Sequence, residues 1–185
     1  MKKLLLRADD LGYSEGVNHG IAKSVRDGLI RSVGIMTNMD TAEHGVKLLE
    51  GVEVCYGQHT NICNGRPLTD PARVPSLVGP DGEFKSSREY RSAKEDFVAL
   101  DEVILEIEAQ YRRFKELTGR EPQYFEGHAV ASRNFFKGLA IVAERHGLKY
   151  CPLSFGNEPV RIGNTDTYMW LESMKPDYDP MASIQ

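Results

Sequence analysis

Cysteine is scarce in this sequence, and no run approaches the roughly 18 apolar residues of a membrane span. The chain has three cysteines, Cys55, Cys63 and Cys151, and none of them forms a C-x-x-C pair. An odd number without that spacing argues against a disulfide framework and against a structural zinc site. Only three leucines precede Arg7, fewer than the roughly 7–15 apolar residues of a signal peptide. The sequence therefore predicts a cytoplasmic protein that does not bind membranes.

Basic patches are also missing, as are the common phosphate-binding loops. The 23 basic and 27 acidic residues give a net charge of −4, and no basic run is longer than Arg112-Arg113. Because a nucleic-acid-binding protein usually presents a clustered basic face, we expect no nucleic-acid partner. The chain contains neither a G-x-G-x-x-G loop nor a Walker-type loop for binding phosphate.

Short apolar runs alternate with amphipathic helical patterns along most of the 185 residues. One helix is predicted from Ser14, a typical N-cap residue, to Gly28. Its apolar residues Val17, Ile21 and Val25 share one face. Alternating strands and helices indicate an α/β fold with a parallel sheet, which either curls into a barrel or winds open. The predicted strands are 4–10, 33–36, 52–59, 123–127 and 149–155.

These elements are expected to form a single barrel-type domain of residues 1–155, with a long loop at 65–96. That loop is rich in prolines, glycines and charges, and a loop of this length is usually functional or disordered. Residues 156–185 are expected to form an irregular segment of the same domain. A complete (β/α) barrel takes about 250 residues, so the five predicted units indicate part of a larger barrel or one truncated at the C-terminus.

Three potential metal ligands follow predicted strands. Asp10 comes after the first strand, His59 after the third and His128 after the fourth. Because the carboxyl ends of parallel strands meet at one rim, we expect these side chains to lie together. Two imidazoles and a carboxylate suit Zn²⁺ or another divalent ion and leave positions for water and substrate. Taken singly, each histidine is better explained as a surface or hydrogen-bonded residue.

Two further carboxylates stand close to these ligands in the sequence. Adjacent carboxylates point in different directions, so Asp10 is able to bind a metal while Asp9 accepts a proton from water that the metal acidifies. The alternative is that Asp9 and Asp10 begin a turn with Gly12 and supply helix-capping oxygens. Glu126 lies two residues before His128, where it is able to orient a ligating imidazole.

The order and spacing of several motifs resemble the YdjC-like family of carbohydrate deacetylases. Residues 6–12, Leu-Arg-Ala-Asp-Asp-Leu-Gly, are similar to the Asn-Ala-Asp-Asp-Phe-Gly start of that family. Residues 57–61 resemble its Gly-x-His-x-x-Leu-Thr segment, and residues 74–77 with 82–84 resemble its long loop. The helix before the fourth predicted strand is similar to the helix before the family's Asp-x-His-x-His segment. The resemblance covers about residues 4–150.

This resemblance implies a distorted, TIM-like (β/α) barrel that removes N-acetyl groups from amino-sugar oligosaccharides in a metal-dependent reaction. Asp10, His59 and His128 then correspond to the ligands of a divalent metal ion, zinc or magnesium, and Asp9 to the general base. The family also implies a homodimer. The long loop would cover the sugar, with contacts expected from Arg66, Phe84 and Tyr90.

The sequence departs from the family pattern at two places. Residues 126–130 read Glu-Gly-His-Ala-Val, with Glu in place of Asp and Val in place of the second histidine. The family also has a downstream Cys-His-Pro-like segment whose histidine is a candidate proton donor, whereas this sequence has no histidine after His146. The alternative is a catalytically impaired or truncated member that binds metal or sugar without turnover. A sugar isomerase is a weaker interpretation, because isomerase sites gather more carboxylates.

Overall fold

The chain divides into two compact units, residues 1–153 and residues 154–185. The division falls close to residue 155, where the sequence analysis expects the regular alternation of strands and helices to end. In the described residues, no helix is both long enough and apolar enough to cross a membrane. The residues that the computed structural model describes are 5–152, 159–162, 165–167 and 179.

A parallel five-stranded sheet is the centre of the first unit. Spatial order follows chain order, so each strand pairs with the next one along the chain. Right-handed crossovers that all run in one direction place the connecting helices on one face of the sheet. The predicted parallel α/β architecture is thus confirmed. The strands are β1 (Arg7–Leu11), β2 (Ser32–Ile35), β3 (Cys55–Thr60), β4 (Tyr124–Gly127) and β5 (Lys149–Tyr150). The helices are α1 (Glu15–Asp27), α2 (Ala42–Leu48), α3 (Ser87–Ser92), α4 (Leu100–Thr118) and α5 (Arg133–Arg145).

The sheet is open rather than closed into a barrel. Among the described residues, β1 pairs only with β2, and β5 pairs only with β4. A closed barrel requires its first and last strands to pair as well. The TIM-like barrel expected from the family resemblance is therefore not confirmed, whereas the coarser description, a parallel sheet covered by helices, is.

The first and last strands of this sheet differ from those predicted. The apolar run predicts a strand from Leu4, but β1 begins at Arg7 and Leu5 is 71% exposed. The prediction is wrong for Leu5 and Leu6, because hydrophobicity alone does not make a strand and the described pairing of β1 with β2 begins at Arg7; Leu4 lies outside the described residues. The strand predicted at 149–155 is observed as Lys149–Tyr150, and residues 153–155 lie outside the described ones.

The second unit contains a short hairpin. Its strands β6 (Val160–Ile162) and β7 (Thr165–Thr167) pair antiparallel. The sequence analysis predicts an irregular segment at 156–185, and most of that segment lies outside the described residues. Within the described part, the hairpin is a regular element that the Asn- and Asp-rich composition did not indicate.

The predicted loop at 65–96 is a packed cover rather than an extended loop. It contains a short 3-10 helix, Pro71–Arg73, and the helix α3. A capping box formed by Ser86 and Glu89 stabilises the N-terminus of α3. Val74 and Leu77 are fully buried and belong to the same apolar cluster as residues of α4 and α5. Part of this cover therefore belongs to the hydrophobic core, which its polar composition did not indicate.

A buried carboxylate fastens the cover to α4. Glu106 has no exposed surface, and its carboxylate accepts hydrogen bonds from the backbone N–H groups of Leu68 (3.1 Å) and Thr69 (2.9 Å). Gln110, one turn later, donates a third hydrogen bond at 2.8 Å. Burial raises the pKa of Glu106, and the donors oppose that rise because they stabilise the charged form. The carboxylate thus serves as a fixed acceptor between helix and cover.

We expect Glu106→Gln to destabilise the fold by about 1–3 kcal/mol, because its amide would turn an N–H group toward a buried backbone donor. Urea unfolding followed by circular dichroism measures this change. The matched control is Glu116→Gln on the same helix, whose exposed ion pair with Arg113 contributes little. Equal effects of the two substitutions would contradict the role of Glu106.

Candidate metal centre

Three side chains converge at one rim of the sheet. Asp10 lies on β1, His59 on β3, and His128 directly follows β4. The Oδ1 atom of Asp10 is 3.1 Å from Nε2 of His59 and 3.0 Å from Nδ1 of His128. The two ring nitrogens are 2.9 Å apart. The structure thus brings together the three residues that the strand-end argument expects to meet.

Strained backbone surrounds this rim. The pairing register of β1 with β2 shifts between Ala8 and Leu11, so the intervening Asp9 and Asp10 form a bulge. Asp10 has a left-handed backbone with a φ of +67°. Ala129, the residue after the second histidine, also has a positive φ, of +51°. Strain of this kind concentrates at functional sites, where the surrounding structure maintains it.

The charges of the three groups depend on one another. The two imidazoles beside Asp10 hold the pKa of its carboxyl well below the ordinary value. Burial opposes protonation of His59, but the carboxylates of Asp10 and Glu126 outweigh it and raise the pKa of His59 to about 9. Burial also opposes protonation of His128, yet Asp10 helps to raise its pKa to about 8. The site therefore attracts positive charge, either as protons or as a metal ion that replaces them.

The far ring nitrogen of His59 faces a second carboxylate. His59 Nδ1 lies 3.3 Å from Glu126 Oε1, and both side chains are almost completely buried. Gly34 on β2 leaves room for this contact, since a Cβ atom there would lie 2.6 Å from Glu126 Oε1. Burial raises the pKa of Glu126, and the neighbouring His59 and Arg7 oppose that rise. Glu126 is thus placed to fix the orientation of the His59 ring.

The far ring nitrogen of His128 faces an amide. Nδ2 of Asn64 lies 3.1 Å from His128 Nε2. The fully buried Asn61 holds Asn64 in place, because its Oδ1 accepts a hydrogen bond from the Asn64 backbone N–H at 3.1 Å. Its own amide donates to the Asn64 carbonyl at 2.7 Å. Each imidazole therefore has a partner behind it, as ligating histidines usually do.

Arg7 lies against the two carboxylates next to the site. Its Nε is 2.7 Å from Asp9 Oδ1, and its Nη2 contacts both Asp9 Oδ2, at 3.1 Å, and Glu126 Oε2. The sequence analysis identified neither Arg7 nor Asn64. Arg7 and Asp9 are two residues apart on one strand. This spacing indicates that their side chains lie on the same face of the sheet, and it could have identified Arg7 from the sequence. Asn64 lies in a loop, where the sequence gives no comparable signal.

A divalent metal ion fits the group formed by Asp10, His59 and His128. Their three ligand atoms lie 2.9–3.1 Å apart, and Asp10 Oδ1 is buried without a well-formed hydrogen bond. Ligand atoms bound to one ion at about 2.1 Å are separated by about 3 Å, so this spacing suits an ion. Two nitrogens and one oxygen form a ligand set that transition metals accept.

A second group of possible metal ligands already lies against a positively charged side chain. Asp9, His59 and Glu126 also offer ligand atoms within 4.8 Å of one another. The guanidinium of Arg7, however, lies against both of these carboxylates. Because a fixed cation repels a metal ion at short range, the group around Asp10 is the better metal site.

The three expected substrate contacts have different surroundings. Arg66 is exposed, and its Nε lies 3.8 Å from Glu83. Phe84 is only 7% exposed and packs in the core, which gives it a structural role. Tyr90 is partly buried and donates a hydrogen bond from its hydroxyl to the Ile62 carbonyl at 2.9 Å. In the described part of the chain, none of the three makes a hydrogen bond or an ion pair with the candidate metal ligands.

A cavity of about 490 Å³ lies beside Tyr90. Its walls come from the segment before α4 and from residues 131–133 at the start of α5. Cavities of this size hold small molecules in many proteins. Ala131 is three residues from His128, so the chain itself keeps the two Cα atoms within about 11 Å of each other. Tyr90 is therefore the expected contact residue that lines a cavity near the rim.

Relatives with assigned names share part of their length with this chain. The sequence profile of the YdjC-like proteins matches residues 3–181. A carbohydrate deacetylase from Mus musculus is 37% identical over 129 residues, which cover 68% of this chain and 41% of that protein. A chitooligosaccharide deacetylase from Citrobacter koseri is 35% identical over 128 residues, covering 68% and 48%. A carbohydrate deacetylase from Geobacillus stearothermophilus is 33% identical over 167 residues, covering 89% and 64%.

Each of these matches spans less than two thirds of the relative's own length. A crystal structure from Enterococcus faecalis V583, provisionally described as a cellobiose-phosphate cleavage protein, has a TM-score of 0.73 over 80% of this chain and 58% of that one. Because the two sequences are only 24% identical, this similarity concerns the fold alone. Since the profile covers almost the whole sequence and the named relatives exceed 30% identity, this chain belongs to the YdjC-like family.

Proposed function

We propose that this chain is a metal-dependent amide hydrolase that removes N-acetyl groups from amino-sugar oligosaccharides. The observation that carries the proposal is the convergence of ligand atoms from Asp10, His59 and His128 within 3.1 Å. The names of the relatives, carbohydrate and chitooligosaccharide deacetylase, support the substrate class. Of the two expected ions, the two imidazoles favour zinc, because magnesium prefers oxygen ligands.

The residues around the ion have separate tasks. When bound, a divalent ion supplies Lewis acidity, which polarises an amide carbonyl and acidifies water. Asp10, His59 and His128 hold the ion at the rim. Glu126, at 3.3 Å from His59 Nδ1, and Asn64, at 3.1 Å from His128 Nε2, keep the two rings from turning away.

Asp9 is the proposed general base. Its side chain is 36% exposed, whereas its Oδ1 atom is buried against the Nε of Arg7. We assign to Oδ2 the acceptance of a proton from the attacking water, because Oδ1 is enclosed. The two contacts with the Arg7 guanidinium, at 2.7 and 3.1 Å, hold the carboxylate in one orientation during this transfer.

The sugar is proposed to lie between the metal centre and the cavity beside Tyr90. The side chains of Lys94 and Arg133 line this cavity and make no hydrogen bond or ion pair in the described part of the chain. Their donors are thus available to sugar hydroxyl groups. Arg66 is a proposed further contact on the exposed side of the cover. Phe84 would contribute only by holding the cover in place, since its side chain is buried.

A protein that binds metal or sugar without turnover is the second candidate. It is favoured by Val130, which stands where the family pattern has its second histidine and is buried in the core. The amine that departs from an amide needs a proton, and the two imidazoles at the rim, His59 and His128, are both assigned to the metal. Acetate release distinguishes this candidate from the active enzyme.

Curvature of the sheet supports a barrel-type fold for the family member as a whole. The strands β1 and β4 are three strand spacings apart, about 14 Å in a flat sheet. Asp10 on β1 nevertheless lies 3.0 Å from His128 at the end of β4, so the sheet bends strongly toward this face. Spatial order equal to chain order is also the arrangement of a (β/α) barrel.

After reconstitution, the wild type is expected to bind about one zinc ion per chain and to release acetate from N-acetylated chitooligosaccharides. His59→Ala and His128→Ala are expected to lose both, because two remaining ligands hold the ion too weakly. Elemental analysis and an acetate assay measure the two properties. The matched control is His146→Ala, whose imidazole pairs with Glu108 at 2.9 Å, outside the site.

Two outcomes of that experiment are decisive for the choice of function. A wild type that takes up no zinc contradicts the metal-dependent hydrolase. Zinc uptake that is lost in both histidine variants, without acetate release from any N-acetylated sugar, favours the protein without turnover.

Gly34→Ala tests the contact between Glu126 and His59. The new Cβ atom would lie 2.6 Å from Glu126 Oε1 and 3.0 Å from His59 Cβ, so these groups must move. We expect a roughly tenfold loss of zinc affinity and a loss of about 1–3 kcal/mol in stability, measured by calorimetric titration and urea unfolding. The control, Gly20→Ala in α1, has no atom within 4 Å of its new Cβ and is expected to stabilise the helix. Unchanged zinc affinity in Gly34→Ala would argue against the orienting contact.

Sedimentation velocity at micromolar concentration tests the proposed homodimer. The strands β1 and β5 are edges in the described part of the first unit and leave backbone groups that favour self-association. We therefore expect a species with twice the mass of one chain. A monomer across the whole concentration range would contradict the dimer and leave the proposed chemistry unaffected.

A further inference from the structure

Arg7 forms the most extensive set of charged contacts next to the metal centre. Its Nε and Nη2 lie 2.7 and 3.1 Å from the two oxygens of Asp9, so the guanidinium meets this carboxylate with two of its nitrogens. The same Nη2 contacts Glu126 Oε2. One side chain thus joins residues on β1 and β4, two strands that do not pair with each other.

This contact compensates an unfavourable arrangement of charge. Glu126 is 3% exposed, and an unpaired carboxylate in such a place is strongly unfavourable. Asp9 is close by and carries the same charge, so the two carboxylates repel each other. Arg7 keeps one-third of its side chain exposed and neutralises both of them at once. A lysine would bring the charge but not the planar set of donors that reaches two carboxylates.

The contact also extends to a metal ligand. Glu126 turns Oε2 toward Arg7 and Oε1 toward His59 Nδ1, at 3.3 Å. A continuous chain of contacts therefore runs from Asp9, the proposed base, through Arg7 and Glu126 to the imidazole of His59. A shift of the guanidinium would disturb the base and the ligand together.

We propose that Arg7 and Glu126 are a matched pair, and that Arg7 is a positioning residue that holds Asp9 and Glu126 as one unit against His59. Glu126 reaches His59 with one carboxylate oxygen only while the Arg7 guanidinium holds the other. Loss of the guanidinium and shortening of Glu126 therefore break the same chain of contacts, so we expect their effects on the site to overlap rather than to multiply.

A double-mutant cycle tests this proposal with Arg7→Asn, Glu126→Asp and the double variant. The first readout is the dissociation constant for zinc, measured by competition with a chelating dye, and it rests on the proposed function. We expect each single variant to bind zinc about tenfold more weakly and the double variant to bind it about as weakly as either single variant. Multiplied effects, about a hundredfold in the double variant, would overturn the matched pair.

Urea unfolding of the same four proteins is the second readout, and it needs no metal. We expect both single variants to unfold at lower urea than the wild type, with little further loss in the double variant. If the wild type binds no zinc, the proposed function fails, while coupling of the two changes in urea still supports the pair. If zinc binds but neither readout shows coupling, the pair fails and the metal centre stands.

Two further variants separate geometry from charge. Arg7→Lys keeps the charge without the fork, so we expect it to bind zinc as weakly as Arg7→Asn. Zinc affinity equal to that of the wild type would show that charge alone is sufficient and would overturn the positioning role. Arg113→Asn, which breaks the exposed contact of 3.1 Å with Glu116, is the matched control and is expected to change neither readout.

Discussion

Burial of charge at the concave face of the sheet is the constraint on which the rest of this site depends. Glu126 is almost completely buried, and Asp10 buries its Oδ1 atom although 40% of its side chain is exposed. A carboxylate oxygen in such a place is tolerated where cationic or polar neighbours replace the lost water. The imidazoles compensate Asp10, and Arg7 together with His59 compensates Glu126. None of these groups is stable in its place without the others, so the cluster is organised as a whole.

The concave face is crowded, and its residues are correspondingly small. Gly57 lies under the ring of Tyr124, where a Cβ atom would come within 2.1 Å of a ring carbon. Ser32 meets the hydroxyl of the same tyrosine at 3.0 Å. The opposite face of β2 carries Val33 and Ile35, which are fully buried among the helices. The period of two along this strand thus separates an apolar face from a face reserved for polar contacts.

The sequence was sufficient to predict that Asp10, His59 and His128 meet at one rim, but not the residues that surround them. The strand-end rule needs only parallel neighbouring strands, and for that reason Asp10, His59 and His128 were identified without coordinates. Arg7 and Asn64 depend on curvature and on loop conformation, and neither of these can be read from a pattern of residues. The apolar run at Leu5 was misleading because this side chain is 71% exposed and precedes β1, so hydrophobicity here indicates neither burial nor strand pairing.

The cover at 65–96 is inserted after the strand that carries His59, and it is anchored on α4 through Glu106 rather than on the ligand strands. Gln110 donates to Glu106 at 2.8 Å and to the Asn61 carbonyl at 2.6 Å, and Asn61 holds Asn64 beside His128. The anchor of the cover and the support of the rim therefore share one network of hydrogen bonds. A change in the length or sequence of the cover is thus expected to alter the setting of His128 as well as the access to the rim.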